Sequence, residues 1–158
     1  MFLYVFRHAD AVSDAATDYE RPLSEKGKTQ VKRVATFCAG NELLPAVILT
    51  SPLRRAKETA ELFSVETKVK RILSVDFLSS GMTPEIAIRE LADYQEFASV
   101  MIVGHEPDFS ALVASLLGVP DREQIHLRKA SLTAIDLPDV NAARGILEFS
   151  IPAKLMSR

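Results

Sequence analysis

A chain of 158 residues is long enough for one domain, residues 1–158, and at that size about 70% of the unfolded surface is buried without disulfide or metal staples. Apolar residues make up 47% and charged residues 25% with a net charge of -2, which argues against a general binder of nucleic acid or membranes and confines any electropositive site to a local patch. The lone Cys38 gives neither a disulfide nor a zinc spacing, and the N-terminal apolar run is too short for a membrane span and lacks a positive n-region and cleavage site, so a cytoplasmic protein is expected.

Phe2-Leu3-Tyr4-Val5-Phe6 has the length and aromatic and β-branched content of a strand buried on both faces, as in the middle of a parallel sheet. It stops at Arg7-His8, which places a cation and an imidazole at the carboxyl end of a strand, where open α/β sheets bind ligands. On this stretch alone a capping Arg and a structural His account for the pair as well as an anion site does. Ala11 to Pro22 is small, polar and acidic, a loop crossing that sheet edge. Ser24 then caps a helix with Leu23 as its staple and a buried stripe of Val31, Val34, Ala35 and Cys38, ended by Gly40-Asn41.

Ala46 to Thr50 is a second strand that runs into Ser51-Pro52-Leu53-Arg54-Arg55, read as a helix with Ser51 at the N-cap and Pro52 at the first helical position. Helix starts favour anions, so this strand end is a second phosphate contact. At 100° per residue, Leu53, Ala56, Ala60 and Phe63 define the buried stripe; Arg54 points away from it and Arg55 lies near its edge beside Thr59. Thr67 to Val75 alternates polar and apolar residues as a less covered strand, Asp76 to Met82 is loop-like, and Thr83-Pro84-Glu85 opens another helix. Ser99 to Val103 is a third core strand ending in Gly104-His105, with Pro107 at the first position of the helix that follows and a stripe of Phe109, Leu112, Val113, Leu116 and Leu117. Ala130 to Leu137 and Gly145 to Pro152 read as hairpin-related strands at a sheet edge. The sum is an α/β fold in three α/β/α layers, a mostly parallel central sheet with helices on both faces and an antiparallel edge.

Separate strand ends deliver Arg7 with His8, Ser51 with Arg55, and His105, and a doubly wound sheet brings them to one crevice. Two arginines grip a phosphoryl group through several oxygens, and two histidines supply a nucleophile and a partner that donates a hydrogen bond. No metal-ligand spacing, Walker loop or Gly-rich dinucleotide motif is present, so no cofactor or metal is expected.

Arg7-His8-Ala9 after the first strand, Ser51-Pro52 leading to Arg55-Ala56-Lys57-Glu58-Thr59, and Gly104-His105 resemble the signature of the histidine phosphatase superfamily, which also holds the cofactor-dependent phosphoglycerate mutases. Arg21-Pro22-Leu23-Ser24 with Gly27 resembles an element of the small SixA-type phosphohistidine phosphatases. The resemblance implies that His8 accepts the phosphoryl group, that Arg7, Arg55 and His105 bind its oxygens with Ser51 at the same site, and that Arg21 is a further phosphate contact. It implies as substrate a phosphohistidine-bearing protein, or a small phosphoester, with neither nucleic acid nor membrane as a partner. A phosphate-binding module without turnover is the non-enzymatic alternative, and His8 argues against it.

Two departures stand out. Ala9 replaces the usual Gly, which requires a negative φ there. Larger members protonate the leaving group with an acid after the third strand; here only Asp76, or less directly Glu85, is available, and the acid stays unassigned.

Overall fold

The N-terminal apolar run forms β1 (Phe2–Arg7), and its lack of polar alternation follows from its place: it is hydrogen-bonded on both edges and covered on both faces. The computed structural model describes residues 1–156. Around β1 lie β2 (Val47–Thr50), β3 (Ile72–Ser74), β4 (Ser99–Gly104), β5 (Leu132–Asp136) and β6 (Ile146–Ile151), in the spatial order β3-β2-β4-β1-β5-β6. The β1–β4, β4–β2 and β2–β3 pairs are parallel, whereas β1–β5 and β5–β6 are antiparallel.

Side-chain alternation along the strands divides the core in two. Tyr4, Phe6, Ile48 and Met101 face α1 (Glu25–Gly40) and α2 (Arg54–Thr67), meeting Val31, Val34, Ala35, Cys38, Ala60 and Phe63. Leu3, Val5, Leu49 and Ile102 face the opposite layer, α3 (Pro84–Leu91) and α4 (Asp108–Leu117), meeting Leu91, Phe109, Leu112 and Val113. This is the three-layer arrangement with an antiparallel edge expected from the sequence. Burial pushes the Cys38 thiol up to about 12, so it serves as a small core hydrophobe.

The structure corrects several local readings. α2 begins at Arg54 with Leu53 as its N-cap, because the Ser51 N–H still bonds the Val103 carbonyl at 2.9 Å and extends the sheet ladder past Thr50. Ser51 and Pro52 therefore belong to the strand-to-helix turn. Pro107 is the N-cap of α4 and not its first helical residue. The strand read from Thr67 to Val75 is confined to Ile72–Ser74: α2 runs through Thr67 and closes on Lys68 in the left-handed region, φ 64°. The pair at the antiparallel edge is as expected, but β5 is buried from Leu132 to Ile135 between β1 and β6.

Gly27 marks where the loop after β1 presses on α1. The Ser24 hydroxyl accepts the Gly27 N–H at 3.0 Å and donates to the Asp10 carboxylate at 2.6 Å, drawing the Asp10 backbone onto the helix. A Cβ on Gly27 would lie 2.0 Å from the Asp10 carbonyl oxygen. Gly27→Ala is therefore expected to destabilise the fold by about 1–3 kcal/mol, the usual range for forced overpacking, measured by chemical denaturation. An unchanged midpoint would mean that the loop moves away without cost.

Candidate active site

Parallel pairing of β1, β4 and β2 places their carboxyl ends side by side, with Arg7 opposite Gly104 and Thr50 opposite Val103. His8, His105 and Ser51 each follow directly, and all three are buried. The His8 and His105 rings lie with centroids 5.4 Å apart, tilted by 52°.

His8 Nδ1 is 2.7 Å from the Ala9 carbonyl oxygen. A carbonyl only accepts, so Nδ1 carries the proton and the Nε2 lone pair stays free. Burial pushes the imidazole down to about 3, with the cationic Arg55 and Arg7 adding to the shift, so His8 is neutral at pH 7. Ala9 is absent from the positive-φ residues, which meets the condition its replacement of Gly imposes, and its N–H donates to the Thr59 hydroxyl at 3.2 Å. Thr59 Oγ donates in turn to the Arg55 carbonyl at 2.7 Å. The spacing Arg55-x-x-x-Thr59 thus ties the helix that carries Arg55 to the backbone that follows His8.

Arg55 is 6% exposed, whereas Arg54 is solvent-exposed and pairs with Glu58 at 2.8 Å, as the helical wheel required. Glu58 also accepts the Leu23 N–H at 2.8 Å. Arg55 donates to the Asp18 carbonyl at 2.8 Å and to its carboxylate at 3.2 Å; Arg21 donates to the other carboxylate oxygen at 3.1 Å and to the Val12 carbonyl at 2.9 Å. Asp18 therefore bridges Arg21 and Arg55, and these bonds hold its carboxyl below the usual carboxylate range. The contact with Arg21 is local in sequence, whereas Arg55 is remote in the chain.

His105 Nε2 lies 2.7 Å from Ser51 Oγ, and Ser51 Oγ also accepts the Leu53 N–H at 3.2 Å. Burial pushes His105 down to about 4. The glycine before it has a packing reason: a Cβ on Gly104 would lie 2.8 Å from the Phe109 ring. Arg7 Nη1 donates to the Leu127 carbonyl at 2.8 Å, and desolvation lowers its pKa. Among the described residues Arg7 Nε, Arg55 Nε and His105 Nδ1 are buried nitrogens with no protein partner. Buried donors are rarely left unpaired, so three at one sheet edge suit an anion.

Asp76 belongs to a short 3-10 turn beyond β3, lining a groove with Ile86 and Arg89, and no hydrogen bond joins it to His8, His105 or either arginine. Glu85 sits exposed in the first turn of α3. Glu106, next to His105, accepts the Ser110 N–H at 2.7 Å and its hydroxyl, which fixes it as a cap of α4. Among the described residues none of Asp76, Glu85 and Glu106 is hydrogen-bonded to His8 or His105, and the Asp18 carboxylate is engaged by Arg21 and Arg55.

The model of the histidine phosphatase superfamily (branch 1) matches residues 3–77, which contain Arg7, His8, Arg21, Ser51 and Arg55. An uncharacterised protein of Picosynechococcus sp. is 31% identical over 143 residues, 85% of this chain and 84% of its own. The chain belongs to the histidine phosphatase superfamily. Within that superfamily it groups with the SixA-type branch: the phosphohistidine phosphatase SixA of Escherichia coli is 29% identical over 126 residues, 73% of this chain and 74% of that one. The solved protein histidine phosphatase SixA complexed with tungstate superposes with a TM-score of 0.90 at 22% identity, covering 99% of this chain and 100% of that one. Superfamily membership supports a phosphatase.

The two depressed histidines give a pH prediction. Both stay neutral in the fold until about pH 3 to 4, whereas in the unfolded chain they take up protons near pH 6.5. Between those limits the unfolded state binds more protons, so stability falls as pH drops from about 6.5 toward 4. Thermal melts across this window are expected to show that slope, and it should shrink in His8→Asn. An unchanged slope in the variant would mean that His8 titrates normally in the fold.

Proposed function

We propose that this protein hydrolyses phosphohistidine on a protein, with His8 as the covalent phosphoryl carrier. The observation that carries this reading is the Nδ1–H bond from His8 to the Ala9 carbonyl, which leaves a neutral Nε2 lone pair in the field of the Arg7 and Arg55 guanidiniums. In the first step Nε2 attacks phosphorus and a P–N bond to His8 forms; the substrate's P–N bond breaks with its electron pair going to the departing ring nitrogen, and the ring, already protonated on its other nitrogen, leaves as neutral imidazole. In the second step water attacks the phosphohistidine, inorganic phosphate departs, and the electron pair of the broken P–N bond returns to His8 Nε2.

Arg7 and Arg55 meet the charge on the equatorial oxygens in both steps. His105 has two tautomers compatible with its bond to Ser51. The one in which Ser51 donates to Nε2 leaves Nδ1–H as a further donor, and a bound oxyanion selects it. Arg21, turned onto Asp18 and Val12, acts through the loop that holds Arg55.

A protein phosphohistidine suits this site better than an alkyl phosphate for a chemical reason. With its other ring nitrogen protonated, an equilibrium whose ordinary pKa is about 6.5, the substrate's ring departs as neutral imidazole and needs far less help from a general acid than an alkoxide does. Among the described residues no carboxylate bonds either histidine. Similarity to the phosphohistidine phosphatase SixA of Escherichia coli supports the same reading.

The test is hydrolysis of a phosphohistidine peptide against a generic aryl phosphate and an alkyl phosphate, with acid-quench or alkaline-quench trapping of the enzyme. A base-stable, acid-labile phosphoenzyme and preference for the phosphohistidine peptide are expected. Faster turnover of the alkyl ester would favour a small-molecule phosphomonoesterase. Because the two arginines supply the positive charge, turnover is expected to survive exhaustive EDTA treatment; recovery that depends on added metal would overturn this chemistry.

A further inference from the structure

A groove of about 440 Å³ opens directly beside the candidate site, and Arg7 forms part of its wall. Lys26 from the first turn of α1, Arg128 and Lys129 from the loop before β5, and Lys154 from the turn after β6 converge on it from separate parts of the chain. Among the described residues Asp10 is the sole acidic one on its lining, and its carboxylate is already engaged by Ser24 at 2.6 Å and Lys129 at 3.0 Å. Lys26, Arg128 and Lys154 form no ion pair among the described residues. Five cations and one carboxylate thus share one wall in a chain whose net charge is -2.

This segregation is local. A second groove, of about 520 Å³ between α1 and α2, balances Lys28 and Arg54 with Glu58 and Glu61. Charges within a Debye length of about 8 Å at physiological ionic strength add their fields, so the basic groove is an anion attractor continuous with the phosphoryl site.

We propose that this groove is a docking subsite for acidic side chains that flank the phosphohistidine of a protein substrate. The proposal rests on the phosphohistidine reading above and adds to it the charge of the partner. In an extended segment, residues two to four positions from the phosphohistidine lie roughly 7 to 13 Å away. Glutamates or aspartates there pair with Lys26, Arg128 and Lys154, while the phosphoryl group meets Arg7 and Arg55. The gain is in encounter rate and register, the usual yield of complementary charge.

The test uses two fluorescein-labelled peptides that carry phosphoryl-triazolylalanine, a non-hydrolysable phosphohistidine mimic, flanked by three glutamates or three glutamines. Binding is read by anisotropy for wild type and for the combined Lys26→Ala, Arg128→Ala, Lys154→Ala variant, whose fold is checked by its melting curve. Wild type is expected to bind the glutamate peptide about tenfold more tightly, as three exposed ion pairs allow. That preference should fall with added salt and drop to within twofold in the variant, with aryl phosphate turnover unchanged. Equal binding of the two peptides by wild type would overturn the proposal, as would a preference that persists in the variant. Tighter binding of a labelled single-stranded oligonucleotide than of the glutamate peptide, lost in the variant, would overturn it in favour of nucleic acid. Wild type that turns over neither aryl phosphate nor phosphohistidine would instead refute the activity, and the peptide preference would still report on the groove.

Discussion

His8→Ala is expected to lower kcat by at least about 10³-fold on both aryl phosphate and phosphohistidine peptide, and to abolish the trapped phosphoenzyme. The reason is chemical. Arg7, Arg55 and His105 retain their places without the imidazole, since Arg7 is held by Leu127, Arg55 by Asp18 and His105 by Ser51. The anion cradle therefore outlives the nucleophile. Tungstate or vanadate should still bind the variant within about tenfold of wild type, which separates lost chemistry from lost folding. Wild-type turnover in His8→Ala would remove His8 from the mechanism. Loss of both turnover and anion binding would mean that His8 organises the cradle.

Arg55→Ala is expected to reduce kcat/KM on the order of 100-fold or more, from the loss of charge-assisted bonds that contribute about 1.5–3 kcal/mol each. Its guanidinium is buried and anchored through Asp18, so it is presented to the site with little freedom left to lose. Arg55→Lys should recover only part of the loss, because an ammonium lacks the planar fork. The adjacent Arg54→Ala is the internal control. Arg54 bonds Glu58 at the surface, and exposed pairs of this kind contribute at most about 1 kcal/mol, so its kcat/KM should stay within a few-fold of wild type. Equal losses in the two variants would contradict the assignment of Arg55 to the crevice. Asp18 is 66% exposed at its side chain, so removing Arg55 leaves no buried charge behind and the melting temperature should change little.

The order of the elements and the layers was legible because hydrophobic period and strand ends are local properties. Phe2 to Phe6, Val47 to Leu49 and Val100 to Val103 are the uninterrupted apolar runs that a doubly covered parallel strand demands, and polar side chains follow each at the sheet edge. The preference for Arg55 over Arg54 follows from the helical period alone. Element boundaries were less legible for a physical reason. The Ser51-Pro52 pair has the local chemistry of a helix start, yet the bond from the Ser51 N–H to Val103 holds Ser51 against the sheet edge and puts both residues in the turn before α2. At the far end of α2, Lys68 occupies a left-handed position without the glycine that marks such ends, so the helix stop carried no signal in composition.

What the residues determined by themselves is which chemical groups stand at the ends of which strands: Arg7 with His8, Ser51 with Arg55, and His105. Their types and periods already point to an anion site. What only tertiary structure decided is how those groups are held. The His8 tautomer depends on the direction of the Ala9 carbonyl, the Ser51–His105 bond on parallel pairing of β2 with β4, and the Asp18 bridge on a loop folding back across two arginines. The basic groove gathers residues from both ends of the chain. Each of these depends on contacts between positions far apart in sequence, which no local pattern encodes.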